Sequence, residues 1–313
     1  MGGSARYRFM KKMDRLQQKY GQGYSNNPDY LRELDEARQK YAEQRKGELD
    51  RAKARNGQTA EEPARTSPYS ASYSQERMDN AMWTDDKQRI DDMLRESAGK
   101  WWNSLNNDQK KAINGFTGGE YGEVNRLLGG RFDVTEYGYD EELKQVQDMT
   151  SALDMAEIPE DIWVRRGVST SHINRMFGVK NLATPVTSLN EAIPQAIADE
   201  RIIDVKNFMS TSAASDSGFP GVEMKIFVPK GSKGVFAEPF SANGRGDGLK
   251  WDGVSKQSSY SYEVEVLLQR GYKLKPIAWN PGQGRWGTHQ IVFTIVGQES
   301  APVQRQEVDW SKI

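Results

Sequence analysis

The sequence predicts an α+β fold, with N-terminal helices packed on a mainly antiparallel β-sandwich core and a charged extension in front. Three observations predict it. Residues 1–80 contain no Val, Ile or Trp, yet carry 16 Lys+Arg and 12 Asp+Glu. Between residues 85 and 157 apolar residues recur at helical spacing among charges. From Ile162 onward, short apolar or alternating segments are separated by Gly-containing turns, the pattern of antiparallel strands. Helices first and strands second is the order of α+β domains.

A segment without Val, Ile or Trp cannot bury much core, so residues 1–80 read as a partly disordered or helical extension. Within it Tyr30, Leu34, Ala37 and Tyr41 follow a 4-3-4 spacing among alternating charges. That pattern suits a short coiled coil, a helix docking on a partner, or a solvated charged helix. Residues 56–75 read as a linker. A folded domain is expected over 81–300, followed by a tail over 301–313. In it, residues 85–112 read as helices, the second capped at Asn106 or Asn107. Residues 119–130 form a short helix stopped by Gly129 and Gly130. Residues 139–157 continue helical, with Leu143, Val146, Met149 and Leu153 as the apolar stripe. Strands are then expected over 162–166, 207–212, 222–229, 234–238, 262–268, 272–278 and 290–296. No internal repeat is evident.

Composition excludes several function classes. The 313 residues hold 43 Lys+Arg against 44 Asp+Glu, so no global basic field points to nucleic acid. The absence of cysteine removes disulfides, a thiol nucleophile and Cys-based metal sites. His172 and His289 lie far apart without ligand spacing, and neither neighbours a nucleophile-elbow sequence. No apolar run approaches the ~20 residues of a membrane span. The first residues are basic but lack a hydrophobic segment, so no secretory signal is expected. Arg6 stands where myristoylation of Gly2 would want Ser or Thr. A soluble protein is expected, its compartment open.

Three polar features interrupt the strands. Arg165-Arg166-Gly167 ends a Trp/Val strand, and an arginine there can fork a phosphate or take part in a surface salt bridge. Ser210-Thr211-Ser212 can orient a neighbouring carboxylate or serve turn chemistry. Residues 262–268 alternate apolar and acidic, which puts Glu263 and Glu265 on one strand face and Val264 and Val266 on the other. Two carboxylates so placed repel, and at least one pKa rises. Taken alone, that pair also fits an edge strand with a solvated acidic face. Gly282-Gln283-Gly284-Arg285-Trp286-Gly287 matches G-x-G-x-x-G by letter, but a strand follows it, so it reads as a hairpin turn rather than a dinucleotide fingerprint. Arg245-Gly246-Asp247 reads as a Gly-rich turn.

In this order, these features resemble the Arg–Ser–Glu signature of mono-ADP-ribosyltransferases of the bacterial and phage exoenzyme type. Residues 102–130 resemble the family's opening helical segment, and 158–168 its first conserved strand. Residues 208–212 resemble its phenylalanine plus Ser-Thr-Ser element, and 227–234 and 262–271 its later strands. The resemblance covers about residues 85–297 and implies the ADP-ribosyltransferase fold. It implies NAD as co-substrate, no metal, and a host protein with an accessible arginine as acceptor, with neither nucleic acid nor membrane as partner. It assigns Arg166, or Arg165 as the alternative, to NAD phosphate, and Ser210 to the catalytic Glu265, with Thr211 and Ser212 in support. Glu263, two residues earlier, matches the arginine-modifying pattern. Tyr121 and Asn125 match helix positions lining the NAD cleft, and Asn207 and Phe219 lie near the nicotinamide.

The chemistry is consistent with these roles. Cleavage of a nicotinamide–ribose bond builds positive charge on the ribose, and a carboxylate such as Glu265 stabilises it. A guanidinium is protonated in water and needs a second carboxylate, here Glu263, to orient it and take its proton. The polar residues 250–261 are expected to present Tyr260 or Tyr262 to the substrate. The implied activity is ADP-ribose transfer to arginine with release of nicotinamide. An NAD glycohydrolase, or a particle-associated docking protein carrying such a domain, is the alternative. As a secreted or phage-delivered effector the protein would act inside a host cell. The extension could dock on a partner, and the target is not legible.

Overall fold

The computed structural model describes residues 67–70, 73–129, 139–179, 185–216, 220–242 and 263–299, together with scattered helical positions between Lys12 and Lys40. The chain divides into two compact units, Met1–Thr66 and Ser67–Ile313. In the first, the described residues are helical, Leu16 and Tyr30 are buried, and Lys12 and Lys19 both pair with Glu33. Leu34, Ala37 and Tyr41 of the expected stripe lie outside the described residues, as do residues 301–313.

The second unit starts earlier than the expected boundary at residue 81. Tyr69 packs edge-on against Tyr272, with ring centroids 6.0 Å apart, and Tyr73 against Phe227 at 5.0 Å. Helix α1, Gln75–Asn80, is capped by the Ser74 hydroxyl. From it Arg77 forks the Asp161 carboxylate, with Nη2 to Oδ1 at 2.8 Å. The Lys225 ammonium lies 4.6 Å from the rings of both Trp83 and Trp163. Tyrosines do here what Val and Ile do in an ordinary core segment, which is why the apolar count missed this strap.

The helical layer follows the sequence pattern. Helix α2, Lys87–Ser104, buries Ile90, Leu94, Ala98, Trp101 and Trp102, one face at 3.6-residue spacing. Helix α3, Asn107–Gly115, opens with a capping box between Asn106 and Gln109. A π-helical turn, Phe116–Glu120, leads into α4, Tyr121–Leu128, which ends at Gly129. Helix α5, Tyr139–Asp154, buries Leu143, Val146, Met149 and Leu153, the expected stripe. The Trp101 indole donates to the Ala152 carbonyl at 2.7 Å and ties α2 to α5.

Strand β1, Ile162–Val168, is followed by two helices that the expectation of uninterrupted strands omitted. Helix α6, Thr170–Phe177, is capped by Ser169 and closed by Gly178 at φ 71°. Helix α7, Pro185–Ala198, follows it. The remaining strands are β2 Ile203–Val205, β3 Met209–Ser212, β4 Val222–Val228, β5 Gly234–Phe236, β6 Glu265–Leu268, β7 Tyr272–Asn280 and β8 Gln290–Gln298. They form one eight-stranded sheet in the order β2-β7-β8-β4-β1-β3-β6-β5. Among the described strands only β4 and β8 pair in parallel. Strands β1 and β3 share a single pair, Arg165↔Ser212, so the two halves of the sheet meet at a narrow seam. Arg165 and Arg166 lie on one side of it, on β1, and Ser210, Thr211 and Ser212 on the other, on β3. Residues 282–287 connect β7 to β8 through a 3₁₀ turn, with no helix after them. Residues 245–247 lie outside the described residues. Among the described residues no helix is long and apolar enough to cross a membrane.

A chain beginning at Ser67 should be more stable than one beginning at residue 81. The difference should be about 3 kcal/mol, from the lost burial of Tyr69 and Tyr73 and the Arg77–Asp161 fork. Denaturant unfolding of the two truncations measures it, and equal midpoints would show that the strap adds nothing.

Candidate active site

The site is built on β3 and β6, which run antiparallel with Ser212 opposite Glu265. The three hydroxyls of β3 all reach the segment that holds the glutamates. Ser210 Oγ donates to Glu265 Oε1 at 2.6 Å. Thr211 Oγ1 donates to the Val266 carbonyl at 2.7 Å, and Ser212 Oγ to the Glu263 carbonyl. The Ala213 N–H donates to the Val264 carbonyl at 3.1 Å. Residues 263–266 are therefore each held from β3 or its continuation. Thr211 and Ser212 are buried, and their hydroxyls hold the facing segment by its backbone carbonyls.

The expected regular strand over 262–268 is corrected at its start. Strand β6 begins only at Glu265, and Val264 has φ 52°. A β-branched residue in the left-handed region is a strained outlier, at roughly 1–3 kcal/mol. Val264 does point into the core, at 1% exposure. Because its backbone turns the other way, Glu263 and Glu265 do not share one strand face as period-2 alternation requires.

The two carboxyls consequently differ. Glu265 is 7% exposed, and burial pushes its pKa up to about 7. The Ser210 hydroxyl opposes the rise, Glu238 and Glu263 add to it, and Ser241 again opposes it. Glu263 is half-buried, and burial raises its pKa as well. Sequence reasoning missed Glu238, a buried carboxylate whose Oε2 accepts the Glu265 N–H at 3.1 Å. The available signal was an acidic residue inside the apolar run Val235, Phe236, Ala237 and Phe240.

The paired arginines separate by strand parity. Arg165 is buried and donates to the Glu223 carboxylate and the Ser215 carbonyl. Burial pulls its pKa down while Glu223 opposes the fall, and a guanidinium still stays protonated. Glu223 also accepts from Gln290 Nε2 at 2.8 Å and from the Arg285 N–H at 3.0 Å. Arg166 points to the other face of β1, is half-buried, and makes no hydrogen bond or ion pair among the described residues. Burial lowers its pKa. Among the described residues no hydrogen bond or ion pair joins Arg166 to Ser210 or Glu265; the seam pair Arg165↔Ser212 brings β1 and β3 together, and β6 follows β3 in the sheet.

Of the other expected residues, Tyr121 opens α4 at 58% exposure. Asn125 follows one turn later on the same side, and its buried Oδ1 has no hydrogen-bond partner among the described residues. Asn207 sits half-buried on the bend before β3, and Phe208 packs on Phe116 at 5.7 Å. Phe219, Tyr260, Tyr262 and the loop over 250–261 lie outside the described residues. His172 and His289 stay apart from the site; the His289 Nδ1 accepts from the Gly282 N–H. Among the described residues no group of three or more acidic or His side chains could hold a metal ion.

A family model described as ADP-ribosyltransferase exoenzyme matches residues 93–290. The fold is similar to that of Plx2a, an ADP-ribosyltransferase toxin from Paenibacillus larvae, at 17% identity, 68% of this chain, 98% of that chain and a TM-score of 0.51. It is similar to the Clostridium limosum C3 exoenzyme at 16% identity, 70% and 98% coverage and a TM-score of 0.53. It is also similar to BECa, an ADP-ribosylating toxin of a C. perfringens binary enterotoxin solved with NADH, at 20% identity and a TM-score of 0.50. That match covers 68% of this chain and 49% of BECa, about half its length. At such identities the likeness shows a shared fold. No curated protein sequence matches the chain.

Two outcomes follow from this geometry. Arg165→Ala leaves Glu223 buried without its cation and should destabilise the protein by about 3–5 kcal/mol, whereas Arg166→Ala should leave the unfolding midpoint close to wild type. Equal losses in thermal or urea unfolding would refute the division. For Glu265 the folded pKa, about 7, lies above its ordinary 4.5. Its contribution to stability is therefore full below 4.5 and is lost as pH rises through 7. Above that, the buried carboxylate costs on the order of 3 kcal/mol. Glu265→Gln should raise stability at about pH 8 and change little at about pH 4; a gain that ignores pH would contradict it.

Proposed function

Because the chain belongs to the ADP-ribosyltransferase exoenzyme family, we propose that it is an NAD-dependent mono-ADP-ribosyltransferase that modifies arginine on a host protein and releases nicotinamide. The observation that carries the reading is the hydrogen bond from Ser210 to the buried Glu265, with the second carboxyl, Glu263, two residues away. The residues present fit NAD. Arg166 has no ion-pair partner among the described residues, and the buried Asn125 Oδ1 lacks a hydrogen bond. When bound, NAD supplies the ADP-ribosyl group, whose bond to nicotinamide breaks with positive charge building on the ribose.

Arg166 holds a phosphate of the dinucleotide through its planar fork. Tyr121, Asn125 and Asn207 line the cleft, and the family resemblance also assigns Phe219 to the nicotinamide. Ser210 fixes the rotamer of Glu265 so that its carboxylate meets the ribose, where the developing positive charge strengthens the interaction. A carboxyl with pKa about 7 is easily neutralised when free, and an approaching cation restores its charge. Glu263, less buried, orients the incoming guanidinium and takes the proton that makes its nitrogen a nucleophile. Catalysis belongs to the unit beginning at Ser67, and the charged segment before it serves to dock a partner or a delivery particle. No metal takes part in these steps.

Incubation of the full chain with labelled NAD and host lysate should transfer label to protein, and mass spectrometry should locate it on arginine. Glu265→Gln should lower both nicotinamide release and labelling by about 10²–10³-fold. Glu263→Gln should lose labelling yet keep nicotinamide release. Labelling that survives Glu265→Gln would sink the assignment. Nicotinamide release without labelling by the wild type would make it a glycohydrolase instead.

A further inference from the structure

Glu238 is a buried carboxylate that the roles above leave unused. It follows β5 in the turn Ala237-Glu238-Pro239-Phe240 and is 3% exposed. The turn is fixed from the helical layer. The Phe240 ring stacks on Trp102 at 4.4 Å and 12°, Asn114 Nδ2 donates to the Phe240 carbonyl at 3.3 Å, and Thr117 Oγ1 accepts from the Ala242 N–H at 3.1 Å. Within it the Phe240 and Ser241 N–H groups both close onto the Ala237 carbonyl at 2.9 Å.

This rigid turn meets the first residue of β6. The ladder between β5 and β6 ends at Phe236↔Val266. One residue earlier, the Glu265 carbonyl accepts the N–H groups of Ala237 at 2.8 Å and Glu238 at 3.3 Å. Its own N–H has no strand carbonyl to meet there, and Glu238 Oε2 takes that place. The neighbour on the other side is the left-handed Val264. A strained residue relaxes unless the backbone around it is held, and the Glu238 carboxylate holds the N–H directly after it. A bond from N–H to an ionised acceptor is shorter and stronger than one to a neutral group.

We propose that Glu238 is a positioning residue, which fixes the backbone at Glu265 against the strain of Val264 and so aims the Glu265 carboxylate at Ser210. This rests on the functional reading above for its consequence in catalysis, though not for the geometry itself. A second effect follows from the same placement. The groups acting on Glu265 are Glu238 from the turn after β5, Glu263 from its own segment, Ser210 from β3, and Ser241. Glu238 raises the pH at which Glu265 ionises.

The test compares Glu238→Ala with Glu238→Gln in the full chain. Loss of the acceptor in Glu238→Ala should lower kcat for nicotinamide release on the order of 10²-fold through misaiming, with KM for NAD little changed. The amide oxygen of Glu238→Gln can still accept the Glu265 N–H, so it should recover most of that loss. Its acidic limb of kcat/KM should move to lower pH than the wild type's, because the negative neighbour is gone. A residue that merely fills space would lower the unfolding midpoint without moving the limb. An unmoved limb in Glu238→Gln, in an active wild type, overturns the proposal, and that variant decides even if Glu238→Ala does not fold. Titration of the Glu265 side-chain carbon by NMR supplies an arm that needs no activity. A downward shift in Glu238→Gln upholds the contact even if the wild type releases no nicotinamide, in which case only the functional reading has failed.

Discussion

A carboxyl at 7% exposure has lost its hydration shell, and the protein around Glu265 replaces little of what water gave it. Its side chain receives the Ser210 hydroxyl at 2.6 Å and a contribution from Ser241. The charges that act on it, Glu238 and Glu263, carry its own sign. A stability-optimised fold would put a cation there. The deficit means that the interaction Glu265 lacks in the resting protein is one that a developing positive charge can supply. The surrounding architecture serves to keep that deficit in place. Three β3 hydroxyls, the Ala213 N–H and the turn after β5 hold residues 263–266 by backbone and side chain.

The seam between β1 and β3 carries the second half of the arrangement. With a single residue pair joining the strands, the ladder alone fixes their relative position poorly. Arg165 supplies the missing constraint, since it reaches the Ser215 carbonyl beyond β3 and the Glu223 carboxylate on β4. Glu223 in turn gathers Gln290 and the Arg285 N–H, so β1, β4 and β8 are locked around one buried anion. A buried pair of this kind adds little net stability over apolar packing, yet breaking it is costly. Its value here is in register. Once Arg165 is anchored, strand parity leaves Arg166 on the opposite face with its guanidinium uncommitted among the described residues.

Much of this was legible in the sequence, for identifiable reasons. The helices at α2 and α5, the α5 stripe and a cap at Asn106 or Asn107 rest on local spacing, and the Ser210–Glu265 pairing on the motif that carries the family resemblance; these survive folding unchanged. The choice between Arg165 and Arg166 was open because adjacent residues of one type carry no parity label; only the position of Glu223, 58 residues away, separates them. Helix α6 had its signals in Ser169 and Gly178, but the strand pattern of β1 just before it masked them. The strap from Ser67 was hidden because its burial comes from tyrosines in a Pro/Ser-rich stretch. Glu238 could not be placed, because its partner is a backbone N–H, which no sequence pattern reports.

Val264 shows where alternation and function diverge. In a regular strand the side chains of residues i and i+2 stand on one face, about 7 Å apart, in nearly equal surroundings. Two glutamates so placed would share one environment and hence one role. The proposed chemistry needs two: one carboxylate desolvated and fixed, the other wet enough to exchange a proton with an incoming group. A left-handed residue between them breaks the equivalence, leaving Glu265 at the head of β6 inside the protein and Glu263 half-buried outside the ladder. Glycine would adopt that φ freely, but it would remove the buried side chain that packs Val264 into the core at 1% exposure. Keeping valine couples the strain to the packing, so the turn cannot relax without emptying part of the core. The inequality of the two carboxyls is therefore maintained by the same residue that the alternating pattern assigned to the interior.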